Sequence, residues 1–137
     1  MDKLPFHSLQ KSAFSLPPPT AISDLPILSK TAAAYKTWHE CLIHFPRLDK
    51  YTLGIKIDNL FCSLIELLLE ACHTSRETKL EIITTACVRL DALKYFLKIA
   101  WELKTVDNKK YALLSTAINE VGKMLGGWKK QAQNISK

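Results

Sequence analysis

The chain is poor in the features on which catalysis, secretion and membrane insertion depend. It has four glycines in 137 residues, and none makes a Gly-rich phosphate loop or a nucleophile elbow around a serine. Its four histidines never pair on one helix face, and no Glu-x-x-His diiron motif occurs. A small helical ribonuclease would need an arginine followed within a turn or two by histidine, yet the one arginine ahead of His73 is Arg47. These absences point away from an enzyme, and no cofactor is expected. Cys41, Cys62, Cys72 and Cys87 have no close-paired spacing. Cys72, His73, His39 and His44 lack finger-like ligand spacing, so no metal is expected. All four thiols fall in apolar helical patterns, where cysteine packs as a small hydrophobe, and this implies a reducing compartment. No apolar run approaches the roughly 20 residues of a transmembrane helix, and no apolar signal core follows the N-terminal lysines. The expectation is a cytoplasmic protein that does not enter a membrane.

What is present is a helical pattern. The 47% apolar and 23% charged fractions are those of a globular protein, and the length suits one domain with one core. Residues 1–26 hold five of the six prolines (Pro5, Pro17, Pro18, Pro19 and Pro26) and show no helical period. They read as a proline-rich arm, either a linker or, given Leu4, Phe6, Leu9, Phe14 and Leu16, a docking strand or hook. Residues 27–137 read as the bundle.

The organising stretch is Tyr51–Cys72. Leu53, Ile57, Leu60, Leu64, Leu67 and Ala71 step by four and three along one helix face. Phe61, Ile65, Leu68 and Cys72 form a second row beside it, wider than one facing helix covers, which predicts a self-association interface. The first helix is predicted from about Ile27 to Phe45, with Ser23 or Asp24 as cap and Leu28, Tyr35, Trp38, Leu42 and Phe45 as its seam. The second begins near Asp49 and ends around His73 to Ser75, and Gly54 in its first turns implies a close backbone approach. Thr74 to Glu77 reads as a capping box for the third helix, with Leu80, Ile83, Cys87, Leu90, Leu93, Leu97 and Ala100 along its face. Asp107 caps the fourth, with Tyr111, Leu114, Ile118, Val121, Leu125 and Trp128 as seam and Gly122 with Gly126 as a small-residue notch. Four amphipathic helices with short connections and no competing strand signal predict an all-α, antiparallel up-down-up-down four-helix bundle.

Charge is the one functional hint in the composition. The net charge is +6, and the segment from Lys104 to Lys137 carries seven basic residues against Asp107 and Glu120. Lys109, Thr116, Lys123 and Lys130 recur every seven residues along a stripe away from the seam, and the third helix adds Arg89, Lys94 and Lys98. Such a stripe is either a solvated face or a surface for a polyanion or an acidic protein.

The run FPRLDKYTLG from Phe45 to Gly54 resembles the FP-basic-x-x-basic-(Tyr/Phe)-x-Leu-Gly signature of the Avd-like four-helix-bundle family, and Lys109–Lys130 resembles that family's closing helix. The resemblance spans roughly residues 30–130. These proteins are accessory variability determinants of diversity-generating retroelements, with relatives encoded in ribosomal-RNA intervening sequences. The resemblance implies a basic homopentamer that binds the element's reverse transcriptase and structured RNA and supports mutagenic cDNA synthesis, without being the polymerase. Arg47 and Lys50 match the two basic signature positions, Leu53 and Gly54 the Leu-Gly, and Gly126, Gly127 and Trp128 the closing GGW. Lys50 stands where arginine is more usual, which keeps the charge and loses any bidentate contact. The implied binding set is Arg47, Lys50, Lys94, Lys98, Lys104, Lys109, Lys110, Lys123, Lys129 and Lys130, with Phe61, Ile65, Leu68 and Cys72 between protomers. The alternative is an rRNA-intervening-sequence-type or structural interaction bundle with no retroelement role.

Overall fold

A computed structural model describes residues 25–136. Residues 1–24 of the proline-rich arm, Ser23 and Asp24 among them, lie outside these; the N-cap of the first helix is Leu25, not Ser23 or Asp24, and Pro26, read as the end of the arm, is its first residue. Four long helices make the fold: α1 (Pro26–Ile43), α2 (Ile55–His73), α3 (Arg76–Glu102) and α4 (Asn108–Ser136). Each packs on its chain neighbours and α1 closes the ring against α4, so the short connections give the antiparallel bundle. No strand occurs among the described residues.

Pro26 opens α1 at a position where its missing N–H costs nothing. The helix stops at Ile43 rather than Phe45, because Pro46 forces the chain ahead of it out of the helical region. Phe45 still reaches the core, edge-on to the fully buried Trp38 with ring centroids 5.3 Å apart. The structure departs from a plain helix at the next stretch. Arg47–Asp49 forms one α turn and Lys50–Gly54 a π-helical turn before α2 proper begins. Gly54 lies on that turn, where a Cβ would stand 2.7 Å from Leu42 Cδ1 and 3.3 Å from the Asp49 carbonyl oxygen. What comes close across to α1 is the end of the Leu42 side chain rather than backbone, and a larger residue at 54 would have to displace it.

Ser75, not Thr74, is the N-cap of α3, and neither makes a capping bond: the Thr74 hydroxyl donates back to the Glu70 carbonyl instead. Asp107 does cap α4, its Oδ1 accepting the Lys110 N–H at 2.8 Å. Between them α3 ends in a Schellman turn. Thr105 N–H donates to the Ala100 carbonyl and Lys104 N–H to that of Trp101, while Lys104 takes the left-handed conformation at φ 65° usually given to glycine.

The seams meet as the spacing predicts. Ile57, Leu64, Ile83, Leu93, Leu97, Leu114, Ile118 and Leu125 are fully enclosed. Phe61 and Leu68 are enclosed too, at 0% exposure, so half of the row expected between protomers is spent inside the bundle. The reason is that α2 packs against α1 and α3 at once and needs an apolar surface on both sides. Ile65 and Cys72 are half-buried. Of the thiols, Cys41 is buried and Cys87 half-buried, but Cys62 is exposed, contrary to the expectation for all four. It sits one position past the Phe61 seam and faces outward.

Candidate nucleic-acid interface

The basic segment folds so that its few acids are occupied elsewhere. Glu120 turns toward α1 and pairs with Lys30 at 3.0 Å, and Asp107 is the α4 cap. The lysines of the stripe are left uncompensated: Lys109, Lys123 and Lys130 are exposed and, among the described residues, make no ion pair. At a rise of about 1.5 Å per residue they span roughly 31 Å of α4.

Lys94 and Lys98 of α3 flank the same face. The Lys94 side chain crosses to α4 over Gly122, its Nζ 3.3 Å from where a Cβ at that glycine would stand. The expected notch is thus a passage for a lysine chain. On either side of Lys94 the surface opens into a groove. One chamber, about 500 Å³, has Leu97 and Ile118 beneath it and Lys94, Lys98, Tyr95, Tyr111, Ser115 and Asn119 around it. The other, about 460 Å³, is bounded by Cys87, Lys123, Gly122 and Gly126 and shares Asp91, Lys94 and Asn119 with the first. Lys94 is half-buried and has no carboxylate within ion-pairing distance among the described residues.

The remaining candidates lie elsewhere. Arg47 and Lys50 sit on the turn after α1, at the end of the bundle that also holds Lys104 and Lys110. Lys110 reaches back across that end to Glu40 at 3.6 Å, an exposed pair of little energetic weight. Lys129 is half-buried beside Cys87. The ten candidates therefore divide into a stripe with its groove on α3 and α4, Lys129 beside it, and four at the end of the bundle where α1 leads into α2 and α3 into α4.

Several participants escape a reading by periodicity. Tyr95 is 63% exposed, off the α3 seam, and stands in the groove wall. Tyr111, read as seam, is half-buried and stacks on Trp101 with centroids 4.9 Å apart and planes within 9°. The Trp101 indole N–H donates to Asn108 Oδ1 at 2.6 Å, which fixes the pair where α3 turns into α4. At the α1–α2 corner Ile43, Leu48, Tyr51 and Ile55 all stand exposed, the last three on or beside the π turn. Clustering of exposed apolar residues beside a signature sequence was the available signal.

One polar site is structural. Asp58 on α2 accepts the Trp38 indole N–H at 3.1 Å, and its other oxygen lies 4.0 Å from Cys62 Sγ. The Tyr35 hydroxyl also donates to Asp58, and that hydrogen bond, with burial and the neighbouring negative charge, pushes its pKa up to about 12. Burial pushes the Cys41, Cys72 and Cys87 thiols up as well, which keeps them protonated and poorly nucleophilic. Among the described residues no group of three or more His, Cys, Asp or Glu could hold a metal ion, and no helix is long and apolar enough to cross a membrane.

Set against known proteins, the chain matches the family described as bAvd-like over residues 26–132. No curated protein matches it.

Proposed function

The chain belongs to the bAvd-like family, and from that membership we propose that it is a non-catalytic accessory protein of a diversity-generating retroelement, binding template RNA and the reverse transcriptase through the α3–α4 face. The observation that carries this reading is the row of Lys94, Lys98, Lys109, Lys123 and Lys130, none of which makes an ion pair among the described residues; the acids of the α4 segment are tied to Lys30 and to the α4 cap, while Asp91 lies in the groove beside Lys94. Phosphates displace counterions when they meet such a row, so RNA affinity falls with salt at a log-log slope of about −0.7 per contact on a single strand. In a homo-oligomer, expected as a pentamer from the family resemblance, the row is multiplied and weak contacts add by avidity. Arg47 and Lys50 at the far corner would extend the surface.

With Phe61 and Leu68 inside the protomer, self-association falls to Ile65, Cys72 and the exposed apolar side chains, chiefly the corner of Ile43, Leu48, Tyr51 and Ile55. That corner also favours a second reading, an interaction bundle of the rRNA-intervening-sequence or structural kind without a retroelement role. Charge reversal at Lys123 and Lys130, with RNA and polymerase binding measured apart, tests the proposal. Loss of one affinity identifies which partner uses the face, and no change in either, with the bundle folded, overturns it in favour of the corner. Light scattering tests the oligomer, and a particle of 15.5 kDa at micromolar concentration refutes it.

A further inference from the structure

We propose that the groove between α3 and α4 is a seat for unpaired nucleobases, so that the basic face takes single-stranded polynucleotide in preference to duplex. This rests on the nucleic-acid reading above and goes further, since a row of lysines by itself supplies point charges without any means of telling a paired strand from an unpaired one.

The groove has the four surfaces that a flat heterocycle on a phosphate chain requires. Its floor is apolar, formed by Leu97 and Ile118 at 1% and 2% exposure. Its wall is aromatic: Tyr95 projects 63% exposed, and Tyr111 is held by its stack on Trp101. Its polar rim combines the Ser115 hydroxyl, the Asn119 amide and the Asp91 carboxylate, donors and acceptors that suit the edge of a base. Its cations are Lys94 and Lys98. A chamber of about 500 Å³ falls within the roughly 300–1,000 Å³ range of small-ligand pockets, room enough for one base and its sugar.

Lys94 gives the groove a direction. Its ammonium lies over Gly122 between two chambers that share Asp91 and Asn119. A strand laid along the groove would place one base in each chamber with Lys94 beneath the phosphate that joins them. A duplex keeps its bases stacked inside and could offer this face its phosphates and groove edges but no free base face. An acidic peptide is the competing occupant. Asp91 favours the base over the peptide: its carboxylate repels phosphate and acidic side chain alike, but it can accept from the exocyclic amine of a base, a contact that an acidic side chain cannot offer.

The test measures binding of the whole protein to a labelled unstructured RNA of about 12 nucleotides, within the usual site size of single-strand binders. The same strand annealed to its complement, and an abasic strand of the same length, serve as comparisons. The proposal expects the single strand to bind at least tenfold tighter than the abasic one. Tyr95→Ala, at an exposed position that folding does not need, should remove about tenfold of single-strand affinity, leaving duplex affinity and salt slope unchanged. Lys98→Ala should weaken both strands and lower the slope. Equal binding of abasic and normal strands, or no effect of Tyr95→Ala, overturns the base seat while leaving the electrostatic reading in place. Failure of every strand to bind overturns both. Displacement of the RNA by an oligoglutamate peptide only when Tyr95 is intact also overturns the base seat and gives the groove to an acidic protein.

Discussion

Replacing Asp58 with leucine tests whether the α1–α2 contact rests on a satisfied polar centre. Trp38 has no exposed surface, and its indole N–H finds its acceptor in Asp58 Oδ1. With the carboxylate gone that donor is buried without a partner, which costs about 1–3 kcal/mol, and the Tyr35 bond adds roughly 0.5–1.5 kcal/mol. Leucine is the better helix former by about 0.5 kcal/mol, so the net expectation is a loss of about 1–4 kcal/mol. With a urea slope near 2 kcal/mol per molar, typical for a domain of this size, the midpoint falls by about 0.5–2 M. Circular dichroism of urea unfolding reads this directly. Asp58→Asn keeps an acceptor for the indole and should recover most of the stability, which separates the hydrogen bond from the bulk of the side chain. The same variant should bring the Tyr35 ionisation down from about 12, since it removes the charge and weakens the bond that raise it. The sign of the pH dependence follows. In the unfolded chain Tyr35 loses its proton near 10.0, while the folded one holds it to about 12. The unfolded state therefore binds fewer protons in that window, and stability falls as pH rises through it. Tyr35→Phe should abolish this part of the slope. An Asp58→Leu protein within about 0.5 kcal/mol of wild type would refute the reasoning, because neutral loss is the outcome for surface groups.

Leu64→Ala, at a fully enclosed seam position, should cost about 2–5 kcal/mol, whereas a chelator or a reductant should leave the melting temperature unmoved; a large fall with either reagent would contradict a core held by packing alone. Leu68→Glu should unfold the protomer rather than dissociate an oligomer, since the side chain has no exposed surface; a folded monomer by circular dichroism and light scattering would show the opposite. Lys104→Gly should stabilise by up to about 1 kcal/mol, because a residue with a Cβ at φ 65° carries a steric cost that glycine lacks; a lower urea midpoint would mean the lysine side chain matters more to that turn than its backbone.

The helices, their number and the family signature could be read from the sequence because they depend on local spacing. Leu114, Ile118, Val121 and Leu125 must share one side of α4 whatever surrounds it, and Asp107 caps because its side chain reaches an N–H three residues on in the same chain. A glycine in the first turns of a leucine-rich helix is costly unless something fills its place, so Gly54 announced a close approach, though not that its partner was Leu42. The lysine stripe was legible for the same reason as the seams.

Periodicity gives the direction of a side chain around its own helix but not what stands opposite. Phe61 and Leu68 show this: a second apolar row looks the same in sequence whether it faces another protomer or another helix of its own, and only the packing of α2 between α1 and α3 decided for the interior. The tertiary structure likewise brought Asp58 under Trp38 and Tyr35, turned Glu120 toward Lys30, and carried Lys94 across to Gly122. The groove arises from these long-range placements, because Tyr95 and Lys98 on one helix meet Tyr111 and Asn119 on another only after the chain has folded back on itself. Sequence determined which residues share a face; the antiparallel return of α4 along α3 decided which faces meet, and with that where a site could form.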